Sequence, residues 1–321
     1  AELLFETNEY DAWTDLTLRR LALPDESYCD RKLQLIKVLG GELQRKDAAY
    51  DHTANLLDDT RMGWEQLSEL ATTCLEQGRP EQAVQALTQA VSQCFEPEPQ
   101  STLLYRIVGI ENDVLRQPAN AIWAWEKLWA DNKADLKPYT ALCDLYRQEK
   151  RWTDLVELHE EALSGLDEPG TVDALQAILQ IQSTHLEMPE RAFMTAGRLY
   201  RLKPEDVDAA QSLIDLGSSL GCVDEAVAIL EDQLDDIRDS RIRLSRLLQV
   251  GELYHRTLKD LDEAEGAFER ALEINPECGE ALDGLLRVAI DDERFDKQLA
   301  ALERKQIITK APEDKKSILV E

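Results

Sequence analysis

The sequence predicts an all-α chain built from antiparallel helical hairpins stacked side by side, and three observations carry that expectation. In the stretch 242–276, Leu247, Gly251 and Tyr254 share one helical face. After a short polar break, Ala264, Phe268 and Ala271 share another, and Pro276 closes the unit. Similar signals recur along the chain at a near-constant spacing. Gly and Pro punctuate the joints between the periodic segments, at Gly78-Arg79-Pro80, Gln117-Pro118, Met188-Pro189 and Gly221-Cys222. A helix content above two-thirds, with no paired strand, is the direct consequence.

Two alternating hairpin types account for the spacing. The first carries a Leu six positions before a small residue: Leu43/Ala49, Leu115/Ala121, Leu186/Ala192 and Leu258/Ala264, the leucines stepping by 72, 71 and 72. The four leucines are expected to be buried in equivalent places. The second type has a bulky residue three positions before the matching site: Tyr10/Trp13, Pro80/Ala83, Trp152/Leu155, Val223/Ala226 and Phe295/Gln298, stepping by 70, 72, 71 and 72. The reading is a superrepeat of about 72 residues holding two hairpins.

In order, a partial hairpin spans 1–22, and its text LLFETNEYDAWTDL recurs at 145–158 as LYRQEKRWTDLVEL. Hairpins follow at 24–60, 64–96, 101–133, 136–166, 170–203, 207–237, 240–276 and 279–305, with Pro97, Pro99, Pro138, Pro169, Pro204 and Pro276 expected between them. A second partial hairpin is expected at 313–321, with Ser317 as its cap and Ile318 and Leu319 opening its apolar stripe. The whole of 1–321 thus reads as one continuous array cut inside the pattern at both ends. Leu3, Leu4, Ile318 and Leu319 would then fray, or be buried by self-association with a second copy.

The pattern of Leu247, Gly251, Tyr254, Ala264, Phe268, Ala271 and Pro276 resembles the tetratricopeptide repeat. Leu67, Leu70, Gly78, Ala83, Leu87 and Ala90 repeat the match in the second hairpin, and Tyr139, Leu142, Tyr146, Leu155 and Ala162 in the fourth. The first and fifth hairpins match mainly in spacing. HEAT-like and other α-solenoids are the alternative, although the hairpin length favours tetratricopeptide geometry. The resemblance implies a right-handed superhelical solenoid whose inner groove, lined by the first helix of each hairpin, binds an extended peptide or a partner helix. It also points to a carboxylate clamp of paired Lys and Asn in some members. The equivalent positions here are Glu65, Ser68 and Thr72, then Lys137, Thr140 and Asp144, then Asp208, Gln211 and Asp215, so the clamp is absent.

Charge narrows the partner. With 36 Lys and Arg against 64 Asp and Glu, the formal charge is −28, which repels nucleic acid and anionic membranes and suits a basic protein or peptide. No apolar run is long enough to span a bilayer. Six cysteines without C-x-x-C spacing fit neither a zinc site nor a disulfide framework, and a reducing cytoplasm is the expected location.

No catalytic motif stands out. Cys143 and His159 could pair a thiol with an imidazole, but a helix–helix seam without oxyanion donors favours packing. His52, His185 and His255 lack a second ligand one helical turn away. In NAIWAWEKLWADN, Trp125 and Trp129 fall on the inward face, and Trp123 is turned away toward solvent or a neighbouring hairpin. Residues 205–239 hold eleven acids against the single base Arg238, as solvated faces and helix N-terminal charge or as a groove for a basic segment. The expected function is a non-catalytic interaction scaffold without cofactor or metal, with Asp144, Arg147, Asp208, Gln211 and Asp215 as candidate partner contacts. A regulatory or substrate-recruiting region of a larger enzyme is the alternative.

Overall fold

The computed structural model describes residues 2–6, 8–21, 27–59 and 61–308. Helix makes up 81% of the described residues, and no strand occurs among them. The fold is all-α, and each element is half of a hairpin.

The chain divides into two compact units, Ala1–Leu158 and His159–Glu321. In the first, α1 (Glu2–Glu6) pairs with α2 (Tyr10–Leu21), and α3 (Tyr28–Lys37) runs through a wide π turn (Val38–Glu42) to α4 (Lys46–Leu57). Then come α5 (Trp64–Glu76) with α6 (Pro80–Gln93), and α7 (Pro97–Gly109), which passes through a second π turn (Ile110–Val114) to α8 (Ile122–Asp131). The last pair is α9 (Leu136–Gln148) with α10 (Trp152–Ala162), whose final residues belong to the second unit. That unit pairs α11 (Glu168–Thr184) with α12 (Pro189–Leu202) and α13 (Val207–Leu220) with α14 (Val223–Asp232). It continues with α15 (Ser240–Leu253), a π turn (Tyr254–Leu258) and α16 (Leu261–Ile274), and finishes with α17 (Gly279–Asp291) and α18 (Phe295–Ile308).

The two hairpin types differ in their turns. All nine left-handed residues among the described ones sit between the helices of a hairpin: Asn8, Gln44, Gly78, Arg116, Lys150, Glu187, Gly221, Lys259 and Glu293. In the second type, the residue after the left-handed one donates its N–H back by five positions. Arg79 reaches the Cys74 carbonyl at 2.8 Å, Arg151 that of Tyr146 at 2.8 Å, Cys222 that of Gly217 at 2.9 Å and Arg294 that of Ala289 at 3.0 Å. This is the Schellman closure, which satisfies a helix-end carbonyl. In the first type the same bond reaches back by six: Arg45 to Leu39 at 2.7 Å, Gln117 to Glu111 at 2.8 Å, Met188 to Gln182 at 2.9 Å and Asp260 to Tyr254 at 3.1 Å. One extra residue is taken into the last turn, which appears as a π turn in three of the four hairpins. The separation along the chain is identical from Gln44 to Gly78, Arg116 to Lys150, Glu187 to Gly221 and Lys259 to Glu293.

Leu43, Leu115, Leu186 and Leu258 each stand immediately before a left-handed residue and share the same half-buried class. They are equivalent, as the spacing predicts. They are not fully buried, because they sit where the helix ends and the chain turns outward. The small residues paired with them, Ala49, Ala121, Ala192 and Ala264, are completely buried. A methyl group there lets the two helices of a hairpin approach closely.

The prolines correct the sequence reading in part. Pro97, Pro99, Pro138 and Pro169 lie inside the first turns of α7, α9 and α11, where a helix has no internal acceptor for their missing N–H; Pro204 and Pro276 do lie in connectors. Hence α7 starts at Pro97, ahead of the expected 101, and α18 runs on to Ile308, past the expected 305. Leu4 is half-buried against the core of the first unit. The side chain of Leu3, and the expected partial hairpin 313–321 with Ser317, Ile318 and Leu319, lie outside the described residues.

Candidate functional site

In the second unit, the first helices of three successive hairpins, α13, α15 and α17, line a cleft of about 570 Å³. Its floor is Phe268, which projects from α16 and is buried between α15 and α17. The sequence permits this because both facing positions are glycine. A Cβ at Gly251 would lie 2.8 Å from the ring, and one at Gly284 would lie 2.5 Å from it. Ile214, Leu248 and Leu253 extend the apolar surface.

The rim is polar. Glu252 pairs with Arg287 across from α15 to α17, and with Arg256 of the following π turn at 2.6 Å. Asp283 pairs with Lys305 of α18 at 2.5 Å, while Glu280 is exposed at the start of α17. The cleft thus has an apolar floor, a carboxylate-rich rim and two guanidinium groups engaged by one glutamate. Among the described residues no set of three or more potential metal ligands converges, and no helix is long and apolar enough to cross a membrane.

The structure places the expected contacts unevenly. Asp208, Gln211 and Asp215 are all exposed on α13, but of the three only Gln211 lines the cleft, and its amide donates to Asp215 Oδ1 at 2.8 Å. Asp208 sits in the first turn of α13, beside the cap formed by Asp206, whose carboxylate accepts the N–H groups of Asp208 and Ala209 at 2.9 and 3.2 Å. Asp144 and Arg147 are exposed on α9 in the other unit and pair with each other at 3.2 Å. Much of the acidity in 205–239 is local: Asp206 caps α13, Asp239 caps α15, and Glu205 accepts the N–H groups of Arg238 and Asp239 at 2.8 and 3.2 Å.

Sequence reasoning missed Glu280, Asp283 and Arg287, although the signal was available. They stand one superrepeat after Asp208, Gln211 and Asp215 respectively, and all three line the cleft. Gln249 and Glu252 of α15 and Arg256 of its π turn were harder to find, because the wide turn after α15 shifts the register by one residue.

The other candidates resolve simply. Burial pushes the Cys143 thiol up to about 11, so it is protonated at neutral pH, the reverse of what a nucleophile needs. His159 is buried. Trp129 is buried, Trp125 half-buried, and Trp123 exposed.

Residues 245–278, which hold most of α15, its turn and all of α16, match the tetratricopeptide repeat family. No curated protein matches the chain. Similar solved structures include a tetratricopeptide repeat protein from Parabacteroides merdae ATCC 43184, at 14% identity over 80% of this chain and 97% of that one, with a TM-score of 0.30. Yeast Tom70 is similar at 13% identity over 92% of this chain and 60% of that one, with a TM-score of 0.33. YrrB, described as a tetratricopeptide repeat protein with an unusual peptide-binding site, is similar at 18% identity over 62% and 97%, with a TM-score of 0.28. The matched repeat shares its turn chemistry and its buried Ala264 with the earlier hairpins of its type, and the stretch 245–278 of this all-helical chain is a tetratricopeptide repeat.

Proposed function

We propose that this chain is a non-catalytic scaffold of the cytoplasm, and that it docks an extended segment of a partner protein in the cleft of α13, α15 and α17. The observation that carries the reading is the cleft itself, with the Phe268 floor below a rim holding Glu252, Glu280 and Asp283. An apolar side chain of the partner would lie over Phe268, Leu248 and Ile214. Basic residues flanking it would meet Glu280 and Asp283 on one side and Asp208 and Asp215, next to Gln211, on the other. Within the first unit, Asp144 and Arg147 of α9 would form a separate contact for a basic segment. Exposed carboxylates act mainly on association rate and selectivity, while the apolar anchor supplies affinity.

The test is selection of binders from a random dodecapeptide library at low salt, followed by kinetics on the enriched sequences. The expected peptides carry Lys or Arg around one large apolar residue, and their association slows as salt approaches 1 M, where the screening length is about 3 Å. The double substitutions Glu280→Gln with Asp283→Asn, and Asp208→Asn with Asp215→Asn, each slow association severalfold with helix content intact. Acidic or purely apolar binders, or association indifferent to salt and to both double substitutions, would remove the acidic cleft as the docking site.

A further inference from the structure

Arg246 of α15 is 3% exposed, and among the described residues no carboxylate pairs with it. Its guanidinium lies over Tyr200 of α12, 5.4 Å from the ring centroid. It donates to the Asp206 carbonyl ahead of α13 at 3.4 Å, and from Nη1 to Gln249 Oε1 at 2.6 Å. A charge taken out of water without an acid partner is costly. Packing does not require one here. Thirteen positions before the left-handed residue, where α15 has Arg246, α7 and α11 have Leu103 and Ala174, each 2% exposed, and α3 has the half-buried Arg31.

A guanidinium can only donate, so the Gln249 amide is fixed with its oxygen on Arg246 and its NH2 group toward the cleft it lines. Gln211, which lines the same cleft from α13, is fixed the other way round. A carboxylate oxygen can only accept, so the Gln211 NH2 group is held on Asp215 Oδ1 at 2.8 Å and its amide oxygen is left for the cleft. Neither Gln249 Nε2 nor Gln211 Oε1 has a partner among the described residues. Leu248 adjoins Gln249 and Ile214 follows Gln211 by one turn, so the donor and the acceptor stand beside the apolar surface of the cleft.

Given docking of an extended segment in this cleft, on which the inference rests, we propose that Gln211 and Gln249 select a side-chain carboxamide, an Asn or Gln of that segment. Arg246 is the positioning residue that sets the selection. The partner's amide oxygen accepts from Gln249 Nε2, and its NH2 group donates to Gln211 Oε1. A carboxylate has only acceptors and repels the Gln211 oxygen. An ammonium or guanidinium has only donors and repels the Gln249 NH2 group. A carboxamide supplies one of each on two separate atoms.

Dodecapeptides selected on the parent chain are the probe. The expected binders carry Asn or Gln at a fixed spacing from the large apolar residue, and replacing it by the isosteric Leu or Met weakens binding about tenfold. Gln249→Glu keeps an acceptor on Arg246 but removes the donor, so the same peptide change then costs less than about twofold, and Gln211→Met acts likewise from the acceptor side. Arg246→Met also loses the Asn-over-Leu ratio, while Arg246→Lys, which retains a donor for Gln249, keeps it. Loss of packing alone would lower affinity for both peptides and leave that ratio unchanged. Salt-sensitive binding of peptides lacking Asn and Gln, or a ratio that survives Gln249→Glu, would overturn the selection and leave the docking cleft standing. Sensitivity to N-methylation of one peptide bond, with Asn and Leu accepted alike, would overturn it too, the main chain then being what the amides hold. Failure of every basic–apolar peptide to bind would overturn both readings.

Discussion

The Phe268 ring is held between two glycines of different helices, Gly251 before it and Gly284 after it, with no room for a β-carbon at either. Helix propensity alone favours Ala over Gly by about 1 kcal/mol in a helix interior, so the sign of a Gly-to-Ala change reports the packing. Gly251→Ala and Gly284→Ala are each predicted to destabilise the protein by about 1–3 kcal/mol. The ring cannot yield toward one helix without striking the other. Gly266→Ala on α16, where an added Cβ meets nothing within 4 Å, is predicted to stabilise by about 0.5–1 kcal/mol. Urea denaturation of the three variants checks both signs, and stabilisation by all three would refute the ring's confinement.

The left-handed turns give a second contrast. Gly221 and Lys150 occupy the same turn position of the second hairpin type, both at positive φ. Gly221→Ala is predicted to cost about 1 kcal/mol, and Lys150→Gly to gain about 0.5–1 kcal/mol. The measurement is again the urea midpoint with unchanged slope. A gain from Gly221→Ala would mean that the turn is not left-handed in solution.

Asp59 supplies a pH prediction. Its side chain accepts hydrogen bonds from Arg61, including Nε at 2.8 Å, and this partner holds its carboxyl down at about 2. The folded value lies below the ordinary 3.8, so the stabilisation is complete above pH 3.8 and is lost as pH falls through about 2. Carboxyl NMR should place the Asp59 midpoint near 2, and Arg61→Gln should return it toward 3.8. An Asp59 midpoint that ignores Arg61→Gln would show that the pair does not form.

What could be read in the sequence follows from where its signals lie. Apolar periodicity and turn residues are local, so α5, α6, α15 and α16 were legible, as was the interval that makes Leu43, Leu115, Leu186 and Leu258 equivalent. The left-handed conformation of Gln44, Arg116, Lys150, Glu187, Lys259 and Glu293 was not, because tertiary packing imposes it on residues that carry no glycine-like preference. The proline positions were misread because Pro serves equally as a connector and as a first-turn residue. The cleft was half legible. The register of Gln211 carried forward to Asp283, but the confinement of Phe268 by Gly251 and Gly284 joins residues of three helices, and periodicity within one helix does not report it.

The claim that the first helices of the second unit form the docking surface is tested most directly by mapping where a selected basic–apolar dodecapeptide lands. Amide exchange, measured with and without saturating peptide, should show protection concentrated in 245–256 and 280–287, the faces of α15 and α17 around Phe268. It should weaken in the Glu280→Gln with Asp283→Asn variant. Protection confined to the second helices α12, α14 and α16, or to the first unit alone, would contradict the account and move the docking surface elsewhere on the chain.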